Sequence, residues 1–184
     1  VKMIEDLIAG GHAYKTQRGN VYFRVSSFSD YGKIAQLSQR ELKANADGRM
    51  DAETASDKED IVDFALWKAW DADDGEVYWD TTLGKGRPGW HIECSVMSTK
   101  HLGAPFDLHL GGIDLLFPHH TNEIAQAECA LHGPFVNHWM HNGHLLVNGK
   151  KMSKSLHNFF TLRDLLDKGY EPTAIRYELL KSHY

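Results

Sequence analysis

The chain is poor in cysteine, has no long apolar run and carries no surplus of positive charge, and each shortage removes a class of protein. Two cysteines, Cys94 and Cys129, in 184 residues cannot build the disulfide framework of a small secreted domain. A reducing, cytoplasmic setting is expected instead. No stretch approaches the roughly 20 apolar residues that a membrane-spanning helix requires, and no secretory signal pattern is visible, so no membrane partner is expected. Asp and Glu number 25 against 20 Lys and Arg, a formal net charge of −5. That balance excludes a bulk electrostatic grip on nucleic acid but leaves room for a local basic patch. Repeats and low-complexity tracts are also missing.

What the chain does have is histidine, 12 in all, clustered between His91 and His157. It also has a change of texture near Tyr78. Before that point an amphipathic pattern (Met3, Ile4, Leu7, Ile8) stops at Gly10-Gly11. Residues 20–25 read as a strand, 38–45 as a short helix capped by Ser38, 47–60 as a charged exposed loop, and 61–70 as entry into a packed strand. After it, residues 84–89 read as a tight loop, 90–101 as a helix, 106–110 as a strand running into Gly111-Gly112, 118–132 as a helix and 137–147 as a strand. This alternation predicts an α/β fold with a parallel sheet, in which ligands sit at the carboxyl ends of strands. The helical pattern at Ile175, Tyr177, Leu179 and Leu180 has no cap after it. Both ends thus suggest an internal segment of a larger protein.

The run Lys151-Met152-Ser153-Lys154-Ser155 follows an apolar stretch and a Gly-Lys turn. It offers two ammonium groups and two hydroxyls to one small anion, and a polyphosphate suits that set. A solvated basic turn is the alternative. His119 and Glu123 are four apart on an expected helix and share a face, which suits one metal or a surface hydrogen bond. Cys94, on the preceding helix, could join them or be ordinary core; sulfur, imidazole and carboxylate together suit zinc.

The lysine-serine run resembles the second signature loop of class I aminoacyl-tRNA synthetases. With GRPGWHIECS at 86–95 and FDLHLGGIDLLFPHHTNE at 106–123, in this order, the chain resembles the cysteinyl-tRNA synthetase family over nearly its whole length. The match is most specific from Gly86 to Ser155 and looser before Val77. The resemblance implies that Cys94, His119 and Glu123 bind one zinc ion per chain, with a fourth ligand, a cysteine, lying upstream. Cys129 cannot easily replace it, because six residues beyond Glu123 is about 240° around the helix. Zinc there would tell a thiol from an alcohol, a discrimination that an apolar pocket makes by only about 1–3 kcal/mol. Trp90 would form an apolar wall for the substrate or be ordinary core, and His109, near a strand end, would face the amino acid's polar end or be a satisfied core histidine. Gly111, Gly112 and Asp114 would allow close approach and offer a carboxylate to ATP's ribose. Lys151, Met152, Ser153, Lys154 and Ser155 would hold the phosphates, with Lys151 and Lys154 catalytic. His120, about 100° from His119, is expected behind the ligands or facing solvent, and Asn122 is expected to support its neighbours.

The implied architecture is the second half of a Rossmann-like sheet (75–148). An α+β insertion (1–74) precedes it. The signature loop and the start of a helical stem-contact unit (149–184) follow. Implied partners are L-cysteine, ATP with Mg2+, and tRNA(Cys); the full-length enzyme is expected to be a monomer, and this segment alone inactive. His141-Asn142-Gly143-His144 imitates the upstream nucleotide box of the class but stands seven residues before Lys151, on a strand, and is rejected as that box. Departures from the family pattern are His157 after the signature loop, where it should limit positive φ, and Leu110, Ile113 and Thr121. Two rivals remain open here: a paralogue joining cysteine to a sugar amine, and an inert zinc-binding module.

Overall fold

The computed structural model describes residues 1–38, 41 and 57–181 and divides into two compact units, Val1–Met140 and His141–Tyr184. In the first unit, helix α1 (Lys2–Ala9) turns Ile4 and Leu7 inward. They pack with Val21, Phe23 and Leu66, all at most 1% exposed. Those last three belong to a five-stranded antiparallel sheet of β1 (Ala13–Lys15), β2 (Val21–Phe23), β3 (Phe64–Ala69), β4 (Trp79–Thr81) and β5 (Gly84–Pro88), in the order β1-β2-β3-β5-β4. The sheet takes strands from both sides of residue 75.

The glycine-rich segment at 84–89, expected as a tight loop, forms β5. Its glycines answer to the neighbouring strand. A Cβ on Gly86 would run into the Lys68 carbonyl and the Trp67 indole, and one on Gly89 into the Ala65 carbonyl. Glycine inside a strand marks such close backbone approach. The charged loop expected at 47–60 lies outside the described residues up to 56. From Asp57 onward it is docked, not free. The Asp57 carboxylate accepts from Thr16 (3.0 Å) and Asn20 (2.8 Å), and Glu59 pairs with Arg24 at 3.0 Å. Of the helix expected at 38–45, Ser38 and Glu41 are described. The Ser38 amide and hydroxyl both donate to the Glu41 carboxylate, at 2.8 and 2.6 Å, as in a capping box.

Helix α2 (Trp90–Leu102) follows Gly89 directly, then β6 (Phe106–Gly112), a single turn Ile113–Leu115, an irregular turn Leu116–His120, and α3 (Thr121–Leu131). The expected start of this last helix at Pro118 is displaced to Thr121. Phe117, held before a proline, takes an extended backbone (φ −137°, ψ 130°) that interrupts the ladder. Strand β7 (Val136–Asn142) pairs with β6. The Phe106 amide donates to the Phe135 carbonyl at 3.3 Å, so the two strands begin side by side, as a helical crossover requires.

The strand expected to run to residue 147 ends at Asn142. In the second unit a separate hairpin joins β8 (Leu146–Val147) to β9 (Lys150–Lys151). Asn148 (φ 53°) and Gly149 (φ 73°) form its two-residue turn, the Asn-Gly pairing that such hairpins favour. Helix α4 (Leu162–Asp167) opens on a Thr161/Asp164 capping box, and α5 (Pro172–Leu180) on its proline. No helix among the described residues is long and apolar enough to cross a membrane.

Candidate metal centre and lysine loop

Helices α2 and α3 pack together in the first unit and bring three ligand-type side chains to one point. Cys94 is half-buried on α2. His119 (5% exposed) precedes α3, where the backbone is already helical at His120 (φ −67°, ψ −34°), and Glu123 (0%) lies in its first turn. The Cys94 sulfur, a His119 ring nitrogen and a Glu123 oxygen all lie within 4.8 Å of one another. His119 Nε2 is 2.8 Å from Glu123 Oε1.

Both Glu123 oxygens are buried, yet neither has an aligned hydrogen bond among the described residues. The close approach of His119 is therefore a meeting of two ligand atoms, without the alignment of a donated bond. A carboxylate stripped of water and donors is costly unless a cation joins it. Burial first, then the charges of Glu123 and Glu93, push the Cys94 thiol above its ordinary range; a bound cation would reverse that. Sulfur, imidazole and carboxylate oxygen around one point are a donor set for zinc, so the residues present fit the ion.

The other nitrogen of His119 is also held. Its Nδ1 lies 2.8 Å from Nδ1 of His91, one turn before Cys94. With His119 Nε2 turned to the ligand point, its Nδ1–H donates and His91 accepts, the usual support of a metal-binding imidazole. Burial, then the neighbouring His119, lower His91 to about 4, which keeps it neutral and able to accept. Sequence reading gave His91 no role. Its nearness to Cys94 was visible, its partner across α3 was not.

Trp90 stacks on His119 with ring centroids 4.2 Å apart and is 59% exposed, so one indole face backs the ligand and the other is open. His109 sits in the middle of β6, not at its end. Its Nε2 is 3.8 Å from Glu123 Oε2, and its ring stacks on Trp139 at 4.5 Å. His120 does not face solvent. It is 1% exposed, beside His109 (4.8 Å) and Trp139 (4.9 Å). Gly111 makes this possible, since a Cβ there would come 2.5 Å from the His120 ring. A Cβ on Gly112 would meet the Asp114 carboxylate, which folds back over it. Asn122 accepts from the Tyr31 hydroxyl at 2.5 Å. Cys129 is core.

In the second unit the loop from Lys151 to Ser155 is organised by Asn158, which sequence reading also missed. Its Oδ1 accepts from the Ser153 amide (2.9 Å) and its Nδ2 donates to the Lys151 carbonyl (3.1 Å). The Ser153 and Ser155 hydroxyls are 3.2 Å apart. The Met152 amide donates to the Leu145 carbonyl at 2.8 Å. His157 adopts φ 52° despite its side chain, and its amide donates to the Lys154 carbonyl at 3.1 Å. Lys151 and Lys154 are exposed, Lys154 lying 5.7 Å from the Phe159 ring centre. A separate cavity of about 540 Å³ opens on the five-stranded sheet beside Tyr22, Lys68 and Trp70 and shares no residue with the metal cluster.

The family described as "tRNA synthetases class I (C) catalytic domain" matches residues 1–184. Relatives named cysteine–tRNA ligase include those of Opitutus terrae, 58% identical over 185 residues, Brachyspira hyodysenteriae, 57% over 184, and Chlamydia trachomatis, 54% over 185. Each match covers 100% of this chain and 40%, 38% and 38% of the relative respectively. The chain therefore belongs to the cysteinyl-tRNA synthetases of class I, spanning about 40% of the length of such a relative.

Proposed function

We propose that this chain is part of a cytoplasmic, monomeric cysteine–tRNA ligase that activates L-cysteine with ATP and Mg2+ and passes the cysteinyl group to tRNA(Cys). The convergence of Cys94, His119 and Glu123, with both Glu123 oxygens left without hydrogen bonds among the described residues, carries this reading. The names of the relatives support the reaction class, and they weigh against a sugar-amine acceptor.

In this reading Cys94, His119 and Glu123 hold a zinc ion, which when bound supplies a soft Lewis-acid centre that takes a thiolate in preference to an alcohol. His91 fixes the His119 ring. Trp90 walls the substrate with its open face, and His109 addresses the amino acid's polar end. Gly111, Gly112 and Asp114 serve the nucleotide, Asp114 offering its carboxylate to the ribose. Lys151 and Lys154, with Met152, Ser153 and Ser155, stabilise charge on the phosphates as pyrophosphate leaves, by electrostatics and positioning and without proton transfer. Residues 75–148 form the second half of the Rossmann-like sheet. Residues 1–74 form an insertion, to whose sheet β5 and β4, from residues 79–88, add through β3. Residues 149–184 carry the signature loop and the start of the stem-contact helices.

Lys154→Ala in the full-length protein tests the loop. Pyrophosphate exchange is expected to fall by a factor on the order of 100, while cysteine binding changes little. An unchanged exchange rate would refute the role.

A further inference from the structure

Two helices supply the sulfur and the carboxylate, Cys94 on α2 and Glu123 on α3, and something must set their register. Gln126, 0% exposed on α3, reaches across to α2. Its Nε2 donates to the His91 carbonyl at 2.5 Å and to the Ser95 hydroxyl at 2.6 Å. Those two acceptors bracket Cys94, three residues before it and one after. The Ser95 hydroxyl, itself 0% exposed, in turn donates to the backbone carbonyl of Glu123 at 3.4 Å. One side-chain amide thus grips the turn of α2 that bears the sulfur, and the hydroxyl it grips is tied to the backbone of the residue that bears the carboxylate.

Packing alone does not ask for glutamine here. Its Oε1 is buried without a hydrogen-bond partner among the described residues. An apolar side chain of the same length would fill the space without an orphaned oxygen. What glutamine adds is a donor that fixes helix rotation and height, where packing permits a range. A displacement of a few tenths of an ångström between Cys94 and Glu123 is what a metal with short, directional bonds detects.

We infer that Gln126, acting through Ser95 and the His91 carbonyl, is a positioning residue of the metal centre. It sets the separation of Cys94 from Glu123 before any ion arrives. This rests on the zinc reading above and adds to it a residue that touches neither ion nor substrate.

The test is zinc affinity of the natural full-length protein, measured by competition with a chromophoric chelator, in wild type, Gln126→Met and Ser95→Ala. Co2+ spectra and the melting temperature of the metal-free protein accompany it. Q126M is expected to bind zinc about 10- to 100-fold more weakly, with an altered Co2+–sulfur charge-transfer band, and to melt within a few degrees of wild type when metal-free. S95A is expected to lose affinity in the same direction by a smaller factor. A purely structural glutamine would lower the metal-free melting temperature and leave zinc affinity within twofold of wild type, and that result overturns the inference. Should Q126M fail to fold, S95A decides by the same criterion. A wild-type protein showing no sulfur band with Co2+ sinks the zinc reading and this inference with it. A normal wild-type band with unchanged variants sinks the inference alone.

Discussion

The two cysteines of this chain have opposite surroundings, and chemistry at single residues follows from that. Cys129 sits in the main core at 8% exposure, and burial, with Glu128 adding, pushes its thiol up to about 11. At pH 8 only about one part in a thousand would be thiolate. Cys94 is also raised, but it is half-buried and stands at the ligand point. In the metal-free protein at pH 8, iodoacetamide is expected to modify Cys94 at least about tenfold faster than Cys129. Zinc is expected to protect Cys94 and to leave Cys129 as it was. Peptide mapping by mass spectrometry reads both rates; equal rates, or no protection, would contradict the site. The pairing of His119 with Glu123 was legible in the four-residue spacing, and Cys94 joined them through the family resemblance. Their supports were not legible. His91 meets His119, Gln126 meets Ser95 and Tyr31 meets Asn122 across separations of 28, 31 and 91 residues, which no local pattern encodes.

At the scale of elements, glycines carry most of what sequence reading got wrong. A glycine cluster signals a turn or a close backbone contact, and composition alone cannot say which. At 84–89 the contact governs, so a predicted loop is a strand. The predicted long strand is broken after Asn142, at residues 143–145, and Asn148-Gly149 turns a separate hairpin that presents the lysine loop. The turn at Gly149-Lys150 was legible in the sequence, whereas the break at Gly143 was not. Gly89 shows what the contact is worth. It stands directly before Trp90 at the start of α2, and a Cβ there would press on the Ala65 carbonyl of β3. Gly89→Ala is expected to cost about 1–3 kcal/mol, the usual range for forcing one carbon into packed space. Urea unfolding should show a lower midpoint at an unchanged slope. Gly133→Ala serves as the control, since a Cβ there meets nothing within 4 Å among the described residues, and it should change stability by no more than about 0.5 kcal/mol. If the two variants lose equal stability, the close approach of β3 to α2 is not what holds Gly89 in place.

At the scale of the whole molecule, the chemistry divides between the two compact units. The sulfur, imidazole and carboxylate belong to Val1–Met140, and the lysine loop belongs to His141–Tyr184. A zinc ion held by those three side chains would act on the first unit alone. A ligand that binds only the folded state stabilises it by RT ln(1 + [L]/Kd), about 2.7 kcal/mol at a hundredfold excess over Kd. That energy appears as slower hydrogen exchange in amides that open only when the unit holding the ligand unfolds. Free zinc at a hundred times its Kd is therefore expected to slow exchange by up to about 100-fold in α2 and α3. Residues 143–181 should exchange at the same rate with and without the ion. Cys94→Ser should abolish the zinc effect in both helices together, because the ligand point draws on both. Zinc protection spread equally over both units would mean that they unfold as one. Protection surviving in Cys94→Ser would mean that the ion sits elsewhere, and the burial of Glu123, without an aligned hydrogen bond among the described residues, would then need another cation to offset it.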